Sequence, residues 1–366
     1  MHRTTDRPKE TETMNAAHEK ALRPRGLTPR NRRIAYGAAI TVVALALVAN
    51  LIGSTPWPSA LVIRQVFAQG SAKTVAELNR HQPPPGRVDA RTGVRYRPGD
   101  SAATLDVFTP AGISAPAPVI VWVHGGAWIS GSSDDVDPYL RILADKGYVT
   151  VGVNYSLGPD RVYPEAVEQV NSALGFVSEH AAELHIDPQR IVLAGDSAGA
   201  QLASQLATLT TNPEYAHLLG IAPALRPDQL AATILHCGVY DMDALADLTG
   251  INAWGFRVAL WAYTGTKQWS QTSVGSTMST IKHVTPAFPP TFISGGNGDG
   301  LTWMESVPMA RALAQQGVPV TELFWSADHR PALLHEYQFR LDSAEAQQAL
   351  EATLAFLDRT VGGERG

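Results

Sequence analysis

Apolar and polar positions fall into four regimes along this chain. Residues 1–33 are polar, basic and proline-punctuated, a texture that predicts a disordered tail. Residues 34–53, IAYGAAITVVALALVANLIG, run for twenty positions without a charge. Residues 54–103 read as a connector that contains the stiff proline stretch HQPPPGR. From residue 104 the pattern changes again. TLDVF alternates with a period of two, and PVIVWV (118–123) and YVTVGVNY (148–155) are near-continuous apolar runs, as expected of parallel strands covered on both faces. YPEAVEQVNSALGFVSEHAAEL follows with helical spacing through Val167, Val170, Leu174 and Val177, and Pro164 marks its start. RIVLAG, AATILHCG, PTFISGG and VTELFW then read as strands, interleaved with helical SAGAQLASQLATL, VPMARALAQQG and AEAQQALEATLAFLDR. Strands and helices alternating at this pitch predict an α/β fold with a doubly wound, mostly parallel sheet over residues 104–362. A stretch at about 240–285 is too long for a structureless loop and predicts a small helical cap.

Charge changes the reading of the N-terminus. Five arginines (Arg23, Arg25, Arg30, Arg32 and Arg33) precede the uncharged span, while the flank after it carries only Arg64. Twenty residues of helix reach about 30 Å, the thickness of a bilayer core. A buried core helix is usually amphipathic, and a cleaved signal has a shorter leader and a shorter apolar core. We therefore expect an uncleaved transmembrane anchor at 34–53. Positive charge stays cytoplasmic, so the tail should lie inside and the α/β part, residues 104–362, outside the membrane.

Composition narrows the function by exclusion. Of 366 residues, 45% are hydrophobic and 17% charged, with a formal net charge of −5, so a large core is available and no basic footprint for nucleic acid appears. The single cysteine, Cys237, excludes an internal disulfide framework and a cysteine-based zinc cluster. Phosphate loops, dinucleotide glycine patterns and metal-ligand spacings are missing from the sequence, and no cofactor is expected.

LAGDSAGAQ (193–201) places Ser197 at G-x-S-x-G spacing. With 31 glycines in the chain a chance match is common, so context has to decide. Ser197 sits between strand RIVLAG and helix AGAQLASQLATL, the strand–turn–helix setting of a nucleophile elbow, and small neighbours Gly195, Ala198 and Gly199 permit the sharp turn. A plain serine N-cap is the competing reading. Upstream, VWVHGGAWISG puts His124, Gly125, Gly126, Ala127 and Trp128 directly after a strand. An ester-cleaving serine needs backbone N–H groups aimed at the oxyanion. The donors expected here are the amides of Gly126, Ala127 and Ala198, with Gly125 shaping the loop and His124 orienting it by hydrogen bonding.

HGGAW, then NYSLGPDRVYPEAVEQV, then GDSAGA resemble, in this order, the α/β-hydrolase esterases of bacteria related to hormone-sensitive lipase. The resemblance covers roughly residues 104–360. It departs at Ala127 and Ala200, where glycine is usual, and in SLGPD. It implies a carboxylesterase with triad order serine, acid, histidine. Asp299, in the loop after strand PTFIS, resembles the family's acid, and Asp241 after the preceding strand is the runner-up. For the base, His335 opens HEYQF, which resembles the family's His-x-Phe-Gln signature, and stands at the usual distance before the last helix. His329 is the alternate base. Five cap aromatics, Trp254, Phe256, Trp261, Tyr263 and Trp269, are either lid core or an apolar wall for the substrate.

The sequence thus predicts a membrane-anchored serine carboxylic-ester hydrolase acting on small or medium acyl esters, with a small-molecule ester and the membrane as its partners. A catalytically inactive α/β-hydrolase domain serving as an extracytoplasmic binding module, an amide hydrolase and an acyltransferase are the alternatives.

Overall fold

The computed structural model describes residues 28–362, so most of the predicted basic tail, up to residue 27, lies outside the described residues. The chain divides into two compact units, one ending at Thr55 and the other beginning at Pro56. The first contributes helix α1 (Pro29–Ser54), whose 26 residues are all exposed. This helix starts ahead of the apolar span, because the Thr28 side chain accepts from the Asn31 amide and Pro29 occupies a first-turn position. Among the described residues it is the one helix long and apolar enough to cross a membrane.

The second unit is built on an eight-stranded sheet. In chain order its strands are β1 (Val88–Arg95), β2 (Thr104–Pro110), β3 (Ala117–Val123), β4 (Val149–Val153), β5 (Ile186–Asp196), β6 (Leu230–His236), β7 (Thr291–Gly295) and β8 (Val320–Phe324). Their spatial order is β1-β2-β4-β3-β5-β6-β7-β8. The pairings β1–β2 and β2–β4 are antiparallel and the rest are parallel. This is the α/β-hydrolase architecture. The apolar runs of the central strands divide between its two faces. Val119, Val121 and Val123 of β3 pack on one side, whereas Ile120 and Trp122 pack on the other. Each face is covered by helices whose apolar stripes repeat at helical spacing. Glu165–Glu179 buries Val167, Val170, Leu174 and Val177 on the first face, and Ala344–Thr360 buries Phe356 and Leu357 on the second.

Residues 54–103, expected as a connector, carry two elements of the fold. Helix α2 (Trp57–Leu78) buries Ala60 and Ile63 against Val258, Ala259 and Ala262. Its Arg64 donates to the carbonyls of Ile129 (2.6 Å) and Gly158 (2.8 Å) and pairs with Asp160. Strand β1 adds an exposed edge, and its mostly polar residues explain why no alternation marks it. The cap region holds three short helices, Met242–Ala246, Gly250–Thr264 and Ser273–Met278.

The helix after β5, Ala198–Thr211, is buried along its whole length. It lies so close to the end of β3 that a Cβ placed on Gly199 would run into the carbonyl oxygens of Val123 and His124. Backbone cannot retreat as a flexible side chain does, so overpacking here costs about 3 kcal/mol. Gly199→Ala is accordingly expected to lower the urea midpoint without changing the slope of the transition. An unchanged midpoint would mean that this approach is looser than it looks.

Candidate active site

A cavity of about 520 Å³ opens over the C-terminal ends of the central strands, and Ser197, His335 and Asp299 are on its lining. Ser197 is held at φ 52° and ψ −121°, between the last residue of β5 and the first of the following helix. Positive φ is costly for a residue with a Cβ. Here it turns the chain sharply enough to lift the hydroxyl to the sheet edge, and the Ser197 amide secures the turn by donating to the His236 carbonyl at 2.9 Å.

Three side chains form a hydrogen-bonded line. His335 Nε2 lies 2.9 Å from Ser197 Oγ, and His335 Nδ1 lies 2.7 Å from Asp299 Oδ2. The second carboxylate oxygen of Asp299 accepts from the Leu301 amide at 3.0 Å, which fixes its orientation. Two loops meet to make this possible, and Asn297 stitches them. It accepts from the Leu333 amide (2.9 Å) and donates to the His329 carbonyl (3.0 Å), while the Gly298 amide donates to the Leu333 carbonyl. His329 itself is elsewhere, 3.1 Å from Glu345 and packed on Trp325. Asp241, the runner-up acid, caps Met242–Ala246 by accepting from the Asp243 amide.

Surrounding atoms desolvate a charged His335 even though 38% of its side chain is exposed, but the Cys237 sulfur and the Asp299 carboxylate beside it more than offset that. Its pKa is raised well above the usual imidazole value. Cys237 Sγ shares a cluster of ligand-type atoms, all within 4.8 Å, with Asp299 and His335, although those two already engage each other. Burial pushes the Cys237 thiol up, against the lowering pull of His335 beside it.

The glycine loop after β3 is wound through φ 102° at Gly126, 52° at Ala127 and 60° at Trp128. Among the described residues no protein acceptor engages the amides of Gly126, Ala127 or Ala198. The Gly125 amide, by contrast, donates to Asp196 Oδ2 at 2.9 Å, and Trp122 Nε1 donates to Asp196 Oδ1 at 2.7 Å. His124 is buried, stacked on Tyr155, and donates from Nδ1 to the Gly125 carbonyl at 2.7 Å. Burial depresses its pKa to about 4, so it is neutral.

Two side chains and one helix escaped the sequence reading. Asp196 is a buried clamp: burial and then the neighbouring Glu336 raise its pKa well above the usual carboxylate range. Glu336, held at φ 59°, lies 3.8 Å from His335 Nε2 and on the cavity lining. A residue squeezed beside a motif serine or histidine carries no separate pattern, so only proximity reveals these roles. Helix α2 is the third omission, since Val66, Phe67, Gly70, Ser71 and Thr74 form part of the wall. Of the five cap aromatics Phe256 alone lines the cavity, whereas Tyr263 and Trp269 are buried.

Known proteins carry the same architecture and related sequences. The BD-FAE family model matches residues 105–313. The carboxylesterase NlhH of Mycobacterium tuberculosis is 30% identical over 306 residues, which are 80% of this chain and 91% of that protein. The probable carboxylic ester hydrolase LipM of the same organism is 28% identical over 252 residues, or 67% of this chain and 55% of its own. Esterase B of Lactobacillus rhamnosis superposes with a TM-score of 0.69 at 24% identity, covering 82% of this chain and 94% of that one. With this fold and these relatives, the chain belongs to the BD-FAE family and is a carboxylic ester hydrolase of the α/β-hydrolase class.

Proposed function

We propose that the chain cleaves small or medium acyl esters through a serine acyl-enzyme. The observation that carries this reading is the continuous line from Ser197 Oγ through the His335 ring to Asp299, at 2.9 and 2.7 Å. Ser197 Oγ attacks the ester carbonyl while His335 Nε2 takes its proton. Asp299 holds the tautomer with Nδ1 protonated and stabilises the imidazolium as it forms. The amides of Gly126, Ala127 and Ala198 receive the tetrahedral oxyanion, and Gly125, tied down by Asp196, keeps that loop in place. The proton on His335 passes to the departing alkoxide. A water molecule, deprotonated by the same imidazole, then releases the acid.

Kinetics on a p-nitrophenyl ester series test the assignment. Ser197→Ala is expected to lower kcat/KM about 10⁵-fold in a folded protein, with His335→Ala comparable and the double variant no worse than either single one. His329→Ala should cost about tenfold or less, by loosening the loop that Glu345 holds. A large loss at 329 with a small one at 335 would reverse the choice of base.

The pH profile supplies a separate check. The base works when neutral, so kcat/KM should climb with pH through the pKa of free-enzyme His335, with a midpoint above the ordinary imidazole value of about 6.5. Asp299→Asn removes a contribution that raises this pKa and leaves burial, which lowers it. The midpoint should therefore move to lower pH, alongside a loss of about 10⁴-fold in kcat. A midpoint that stays put would mean Asp299 does not set the charge of His335.

The uncharged span and its flanking arginines support a single-pass anchor at residues 34–53, with the tail at 1–33 cytoplasmic and the catalytic domain, 104–362, outside. A reporter that is active only outside the cytoplasm, fused after residue 360, should give signal, and the protein should sediment with membranes. A soluble product beginning near residues 50–70 would identify a cleaved signal instead.

A further inference from the structure

The exposed apolar side chains of the second unit are not scattered. Eleven large ones stand exposed there, and nine of them sit on four segments that border the cavity. Five belong to α2: Trp57, Leu61, Val62, Val66 and Phe67. Two, Ile251 at 77% and Trp254 at 43% exposure, belong to the cap helix Gly250–Thr264, which packs against α2 and sends Phe256 into the cavity. Trp303 stands between the lining residues Leu301 and Met304, and Leu334 at 67% exposure directly precedes His335. A soluble domain seldom gathers so much apolar surface around one opening without a use for it.

Covalent continuity says what covers it. Helix α1 ends at Ser54 and α2 begins at Trp57, so only Thr55 and Pro56 separate them. Two residues span at most about 7 Å. If α1 crosses a bilayer, the start of α2 has to lie at the membrane surface. The outward face of the first three turns of α2 suits that position. Leu61, Val62 and Val66 are exposed along it, while its charged residue, Arg64, turns inward to Ile129, Gly158 and Asp160 with its guanidinium 5.8 Å from the half-exposed Trp57 ring. Tryptophan at such a junction is the usual interfacial anchor.

We infer that the rim formed by α2, the cap helix and the two catalytic loops docks on the bilayer that holds α1, and that the substrate is an amphiphilic ester drawn from that bilayer into the cavity. The inference rests on the anchor and hydrolase readings above and adds the route by which substrate arrives. An ester dissolved in the membrane is concentrated at the opening. It leaves lipid for an apolar wall, so its apolar part is not exposed to water on the way in.

The test uses the full chain reconstituted in phosphatidylcholine vesicles. Leu61, Val62, Ile251 and Trp254 are absent from the cavity lining, so replacing all four with glutamine should leave turnover of water-soluble p-nitrophenyl acetate within about twofold of wild type. Turnover of p-nitrophenyl decanoate, a medium acyl ester that partitions into the same vesicles, should fall at least tenfold. The double variant Ile251→Asp, Trp254→Asp, changed only at exposed cap positions, should show the same selective loss and guards against a folding defect in the fourfold variant. Equal rates on the embedded ester for wild type and both variants would overturn the docking surface. Extraction by alkaline carbonate separates the two readings. A wild-type chain that resists extraction yet shows no selective loss keeps its anchor and loses the docking surface, whereas a chain that carbonate releases overturns both.

Discussion

The site depends on how closely the helix carrying the serine approaches the end of β3. Gly199 lets the backbones of Ala198–Thr211 and of β3 meet where no Cβ would fit, and Gly195 allows the same approach within the elbow. That contact fixes the height of Ser197 above the sheet edge. It also sets the Ala198 amide beside the glycine loop, because that loop is the direct continuation of β3. Asp196 then converts proximity into a fixed geometry. Its carboxylate takes one hydrogen bond from Trp122 in the strand and one from Gly125 in the loop, so elbow, strand end and loop are a single piece. A buried carboxylate is costly unless its oxygens are satisfied, and here both are.

The same region concentrates backbone strain. Six non-glycine residues have positive φ among the described residues, and five of them (Ala127, Trp128, Ser197, Cys237 and Glu336) lie on loops leaving the sheet at the site. Each such position costs on the order of 1–3 kcal/mol. They persist because the surrounding packing over-determines them: the central strands are buried on both faces and leave the loop ends no slack. Strain held in this way is preorganisation. The amides that no protein group engages are fixed before any substrate enters.

Much of this was legible in the sequence, for a definable reason. The serine elbow and the glycine loop sit at the ends of strands whose apolar runs announce them, so local pattern locates them. Asp299 and His335 come instead from the resemblance to known esterases: His335 lies eleven residues past the end of β8, a strand with no fully buried position. Helix α2 was not legible. Its outward face is apolar where a surface helix should be polar, and its partners lie far off in sequence: Arg64 reaches Ile129 and Gly158, 65 and 94 positions away. Periodicity reports which face of a segment is buried in the same chain, and α2 carries apolar residues on both faces. Strand β1 failed in the opposite way, as an edge with no buried alternation. Asp196 and Glu336 are adjacent to residues that were identified, yet their contact spans 140 positions and leaves no local trace.

Floor and wall of the cavity therefore obey different rules. The floor is polar, rigid and built from strand ends, with Asp196, Asp299 and His124 each nearly inaccessible and each hydrogen-bonded. The wall is mostly apolar and built from helices distant in sequence, with α2 and the cap meeting through small residues such as Ala60, Ala259 and Ala262. Asp299 is nearly inaccessible on that floor, so its charge acts on the His335 ring with little screening. Together with the Cys237 sulfur, it accounts for a raised His335 pKa where desolvation alone would lower it. In the proposed mechanism the chemistry belongs to the floor and is set by the motifs. Which ester reaches it belongs to the wall, and hence to segments in which no motif can be read.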